Sequence, residues 1–136
     1  MGILPDAGRA AERLDGEAVA WLTTVTASGQ PQSSVVWFVV HDDVIYIQSQ
    51  PTATKWTNVR ANSMVSFHLN SDANGGDIVT VDADAEILDA FPPGVQDAYL
   101  AKYARRVREE LQSTPDAILA DYSTTIRITP RRIRVW

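Results

Sequence analysis

The stretch QSQPTATKWTNVRANS, residues 48–63, gathers Ser49, Thr52, Thr54, Lys55, Asn58 and Arg60 around one tryptophan, Trp56. Hydroxyls, the free N–H groups of a helix start and an ammonium are the groups that hold a phosphate. Residues 52–62 have the length of a helix, and Thr52 or Thr54 can cap its start. Lys55 and Asn58 stand about one helical turn apart, so both can face the same side. The competing reading is a capped connecting helix with Trp56 and Val59 in the core, and spacing alone favours neither.

Other groups with chemistry have duller explanations. In SMVSFHLN, Met64, Ser66, His68 and Asn70 alternate with Val65, Phe67 and Leu69. His68 is therefore on a polar strand face and can reach a ligand, although a structural role is the stronger reading. His41 precedes Asp42 and Asp43 in a turn and reads as solvated. No G-x-S-x-G elbow is present, which argues against a hydrolase. Asp82, Asp84 and Glu86 share a strand face, a pattern that could ligate a metal. No ligand-rich loop accompanies them, so a solvated or intersubunit face is the simpler reading and no metal site is assigned. Arg131, Arg132 and Arg134 concentrate positive charge, to pair with that face or to bind an anion. Arg105, Arg106 and Arg108 are offset by Glu109 and Glu110 and read as surface ion pairs.

These side chains need a scaffold, and 136 residues with 45% hydrophobic content imply one domain, 1–136, with a real core. A net charge of -5 argues against general nucleic-acid binding. The absence of cysteine excludes disulfides and thiolate chemistry. No leader pattern opens the sequence, and no apolar run approaches the roughly 20 residues that span a bilayer. Asp6 stands where a myristoylation signal needs Ser or Thr. The expectation is a soluble, cytoplasmic protein without membrane contact.

An opening helix is expected over 5–14, with Pro5 and Asp6 in its first turn. Strands are expected at 18–26, 32–40 and 44–49, joined by the turns ASGQ and HDD. SSVVWFVV is apolar on both faces, so its strand needs a second cover besides the core, either a ligand or a partner subunit. Further strands follow at 63–70 and 77–88. In the helix VQDAYLAKYARRVREELQ, Leu100, Tyr103, Ala104, Val107 and Leu111 form the apolar stripe. Thr114 and Pro115 start a short helix through Asp121. STTIRITPRRIRVW closes the chain as a strand in which Pro130 marks a bulge or an edge. About six strands with hairpin connections favour a closed antiparallel barrel over a doubly wound sheet.

WLTTVTASGQPQSSVVWFVVHDDVIYIQSQPTATKWTNVRANSMVSFHLN resembles the flavin and deazaflavin oxidoreductases related to pyridoxamine 5'-phosphate oxidase. The resemblance lies in the order and spacing of Gly29, Pro31, Ser34, Val36, Trp37, Phe38, Ile45, Tyr46, Lys55, Asn58, Val59 and Asn62, with IRITPRRIRVW like the closing strand. It implies a mainly β fold with peripheral helices, a split antiparallel β-barrel of the FMN-binding-like kind. It also implies a homodimer with a cofactor groove at the interface and a small-molecule substrate. Ser34, Val35, Val36 and Trp37 would lie along a tricyclic ring. Gln48, Ser49, Thr54, Lys55 and Asn58 would hold the phosphate and its linker. The similarity is nearest to the branch using the deazaflavin coenzyme F-420. FMN members carry more Arg and Lys phosphate ligands, which leaves FMN as the alternative, beside a noncatalytic carrier or sensor. The implied reaction is hydride transfer. No catalytic residue is assigned; Tyr46, His68 or a bound water could supply a proton. Trp56 is expected to pack rather than to stack on the ring.

Overall fold

A computed structural model describes residues 2–136. In chain order the elements are α1 (Gly8–Gly16), β1 (Ala20–Val25), β2 (Pro31–Val36), β3 (Phe38–His41), β4 (Val44–Ser49), α2 (Thr54–Ala61), β5 (Met64–His68), β6 (Val79–Leu88), α3 (Val95–Glu109), α4 (Pro115–Asp121) and β7 (Thr124–Val135). The strands form one antiparallel sheet of seven, ordered β2-β1-β5-β6-β7-β4-β3.

That order corrects two expectations. The run 32–40 is not one strand: it breaks at Trp37 into β2 and β3, which lie at opposite edges of the sheet. One residue joins the two edges, so the sheet must curl until they meet. The result is a curled half-barrel rather than a fully hydrogen-bonded closed barrel, because no β2–β3 ladder seals it. The apolar character of both faces of this run also finds its cause. Phe38 belongs to the core inside the curl, with Leu22, Ile45, Phe67, Val81 and Ile126, all fully buried. Val39 belongs to a second cluster, with Tyr46 and the α3 residues Val95, Tyr99, Tyr103 and Val107. The second cover over β3 is thus α3 of the same chain.

The buried stripe of α3 recurs every four residues from Val95 to Val107. Leu100 is only half-buried, and Leu111, beyond the helix end, is 49% exposed. α1 starts at Gly8 rather than near Pro5, because the backbone N–H groups of Ile3 and Leu4 are drawn to the Asp43 carboxylate at 2.8 Å each. Asp42 and Asp43 take φ values of 49° and 63°, the left-handed pair that a two-residue hairpin requires.

The longest ladder, β6 with β7, shifts register between Asp82, opposite Arg132, and Ala83, opposite Pro130. Arg131 is the extra residue, and the bulge sits where proline has no N–H to give. Arginines answer the carboxylate face: Arg134 pairs with Asp82, Arg131 with Asp84 at 3.0 Å and Arg127 with Glu86. Among the described residues no cluster of three metal-ligating side chains occurs, and no helix is long and apolar enough to cross a membrane.

Candidate functional site

β4 ends at Gln48 and Ser49, and a turn in which the Ala53 N–H donates to the Gln50 carbonyl leads into α2. The helix cap is Ala53, whose side chain cannot accept a hydrogen bond, so neither Thr52 nor Thr54 caps α2. Thr54 is instead the first helical residue and is exposed.

Beside this turn lies a cavity of about 230 Å³. One side is built from the end of β2 and the break (Val35, Val36, Trp37), the end of β4 (Gln48, Ser49, Gln50), Ala53 and Lys55. The opposite wall comes from far along the chain: Tyr99 on α3, Leu111 after it, Ile118 on α4 and Tyr122. Six of the expected site residues, Val35, Val36, Trp37, Gln48, Ser49 and Lys55, are therefore brought together. Ser34, Thr54 and Asn58 do not line the cavity.

Among the described residues, Lys55 is the one charged residue lining the cavity. It is half-buried, and burial alone lowers its pKa from the ordinary lysine value, with no charged neighbour contributing. A partly desolvated cation without a counter-charge is raised in energy, and an anion placed beside it removes that cost. Gln48 accepts a hydrogen bond from the Thr125 hydroxyl, which leaves its NH₂ group without a partner among the described residues. Ser49 is buried, and its hydroxyl reaches only the Gln50 carbonyl, at 3.5 Å.

Asn58 is turned inward. Its NH₂ donates to the Thr24 hydroxyl and to the Gln32 side-chain oxygen, both at 2.9 Å, and so fastens α2 to β1 and β2. Thr24 is 1% exposed, so water does not readily replace this partner. Asn58→Ala is accordingly expected to lower the unfolding free energy by about 1–3 kcal/mol, read as an earlier denaturant midpoint with unchanged slope. Trp56 packs against the core as expected, with the Arg60 guanidinium 4.8 Å from its ring centre.

Neither expected proton donor from the chain lines the cavity. Tyr46 is in the α3-side cluster. His68 stacks on Trp21, with ring centres 6.3 Å apart, and its Nδ1 lies 2.9 Å from the Leu69 carbonyl.

Sequence reasoning missed the pair that shapes the break. The Tyr103 hydroxyl accepts from the Phe38 N–H at 2.9 Å and lies 2.6 Å from the Ala18 carbonyl and 3.0 Å from that of Phe38. Its ring stacks on Trp37 at 4.4 Å and 5°. The Lys102 ammonium donates to the Phe38 carbonyl at 2.9 Å and sits 3.6 Å from the Phe38 ring centre. Burial brings its pKa down to about 8. In sequence, Tyr103 signals only a helix face that packs, and Tyr99, buried on the same face, lies outside the apolar stripe expected there.

The sequence pattern of the family described as Pyridoxamine 5'-phosphate oxidase matches residues 7–136. No curated protein matches the sequence. Among solved structures, the chain is similar to HutZ, the heme storage protein from Vibrio cholerae, with TM-score 0.75 and 18% identity over 99% of this chain and 95% of that one. It is similar to a conserved hypothetical protein from Mycobacterium tuberculosis, with TM-score 0.70 and 24% identity over 96% and 85% of the two chains. An F420 reductase matches with TM-score 0.68 and 23% identity over 94% and 98%. At these identities the structural matches speak for the fold.

Proposed function

This chain belongs to the pyridoxamine 5'-phosphate oxidase family, and from that premise we propose that it is an oxidoreductase that uses the deazaflavin coenzyme F-420 to transfer a hydride to or from a small organic substrate. The observation that carries the reading is the placement of Lys55, an uncompensated half-buried cation at one side of a cavity otherwise lined by neutral groups, most of them apolar or aromatic. Such a cavity fits a molecule that is anionic at one end and a flat, weakly polar ring at the other.

In this reading Lys55 meets the phosphate, helped by the Gln48 NH₂ group and the Ser49 hydroxyl. Val35 to Trp37 run along the ring. Asn58 acts by holding α2, and with it Lys55, against the sheet. Bound coenzyme F-420 supplies a hydride donor or acceptor at its ring. The chain's own residues orient the reactants and keep water from them. One cation suits the singly charged phosphodiester of F-420 better than the doubly charged phosphomonoester of FMN.

We place a second copy of the chain over the mouth of this groove. The cavity of about 230 Å³ is below the roughly 300–1,000 Å³ usual for small-molecule sites. Its rim carries Val35 at 49%, Leu111 at 49% and Tyr122 at 39% exposure, apolar surface that a homodimer would cover.

Equilibrium binding of F-420 and FMN, measured side by side on the purified protein, tests the assignment. F-420 is expected to bind more tightly by about tenfold or more, a difference of about 1.4 kcal/mol. Flavin absorption in the protein as purified, or tighter FMN binding, would transfer the same groove to FMN. Binding of neither would overturn the reading.

A further inference from the structure

Tyr99 is 2% exposed. Its ring packs between Phe91, 5.2 Å away centre to centre, and Tyr103, at 5.0 Å. Tyr103, one helical turn on, has three backbone groups around its hydroxyl. The Tyr99 hydroxyl makes no hydrogen bond to any described residue, yet it is not among the side-chain atoms sealed from solvent without a partner. The residue lines the cavity. A buried phenol held without a protein partner is costly unless something else satisfies it. Burial raises its pKa above the ordinary tyrosine value, so near neutral pH the group keeps its proton and donates.

We propose that Tyr99 is the hydrogen-bond donor that recognises an in-plane acceptor, a ring carbonyl or ring nitrogen, on the heteroaromatic part of the ligand in this cavity. The inference rests on the functional reading above and adds to it a second recognition point. Lys55 reads charge; Tyr99 reads the ring through a neutral donor. The two contributions are therefore separable by probes that carry only one of the two features.

Tyr99→Phe keeps the ring and removes only the hydroxyl, and three probes suffice: coenzyme F-420, its 8-hydroxy-5-deazaflavin chromophore without the phosphate tail, and inorganic phosphate. The variant is expected to bind F-420 and the bare chromophore more weakly by one common factor, about three- to tenfold. Phosphate affinity should not change, and the melting temperature of the unliganded protein should stay the same or rise. Unchanged affinity for F-420 and the chromophore, in a protein whose wild type binds both, would overturn the Tyr99 assignment and leave the functional reading standing. A fall in melting temperature with no loss of ring affinity would also overturn it, by showing that the hydroxyl serves the fold. If wild type binds neither F-420 nor the chromophore, the functional reading fails and the assignment falls with it.

Discussion

Lys55→Ala is expected to weaken coenzyme F-420 binding by about tenfold to 150-fold, the equivalent of the roughly 1.5–3 kcal/mol that a hydrogen bond to a charged group contributes. The same change should not destabilise the free protein. Lys55 has no ion pair to lose among the described residues, and its pKa is lowered in the fold by burial alone. Between the lowered folded value and the ordinary lysine value the unfolded chain binds more protons, so stability rises with pH across that window. The cost of holding the ammonium is present in full below the folded pKa and fades above it. Replacement by alanine should therefore leave the melting temperature at neutral pH unchanged or raised, while ligand affinity collapses. Salt should weaken F-420 binding to wild type more than to the variant, because only wild type has a local charge to screen. A titration in which Lys55→Ala binds as well as wild type would remove the phosphate from this end of the cavity.

The parts of this picture that were legible in the sequence are the local ones. Alternation and turn chemistry mark the strands, Thr114 with Pro115 marks the start of α4, and Pro130 marks the bulge, because each depends on a few adjacent residues. Thr114 does cap its helix, accepting from the Ala117 N–H at 3.2 Å. Lys55 was legible as the cation at a hydroxyl-rich helix start. The break at Trp37 was not, because SSVVWFVV contains no glycine or proline to announce it. Its cause is tertiary, a tyrosine hydroxyl 65 residues away in sequence. Nor could spacing decide which way Asn58 turns. Three residues advance a helix by about 300°, so Asn58 stands about 60° from Lys55 and can join it or fall to the sheet side; the Thr24 and Gln32 side chains draw it to the sheet. The wall of Tyr99, Ile118 and Tyr122 was hidden for a simpler reason. A tyrosine on the buried stripe of a helix looks the same in sequence whether its hydroxyl meets a carbonyl or a cavity.

That ambiguity is resolved by comparing Tyr99 with Tyr103. Tyr103→Phe is expected to cost about 2–4 kcal/mol of unfolding free energy, since the Phe38 N–H and the Ala18 carbonyl each lose a partner and an orphaned buried group costs about 1–3 kcal/mol. Tyr103 is 1% exposed and Phe38 fully buried, so water does not readily repair the loss. The Phe38 carbonyl is protected differently: the Lys102 ammonium still donates to it at 2.9 Å, which keeps the total from being larger. Phenylalanine preserves the stack on Trp37, so the measured change belongs to the hydroxyl and not to packing. Against a total stability of about 5–15 kcal/mol for a domain, the shift in denaturant midpoint should be large, with the slope unchanged. A shift equivalent to less than about 0.5 kcal/mol would mean that the strand break holds without this hydroxyl. The break forms one side of the cavity, so ligand affinity should also fall in this variant, but only with loss of stability. The same atom removed one helical turn earlier, at Tyr99, is expected to do the reverse, sparing stability and weakening the ring. Two identical substitutions with opposite signatures would show that α3 uses one tyrosine to shape the groove and the other to read what enters it.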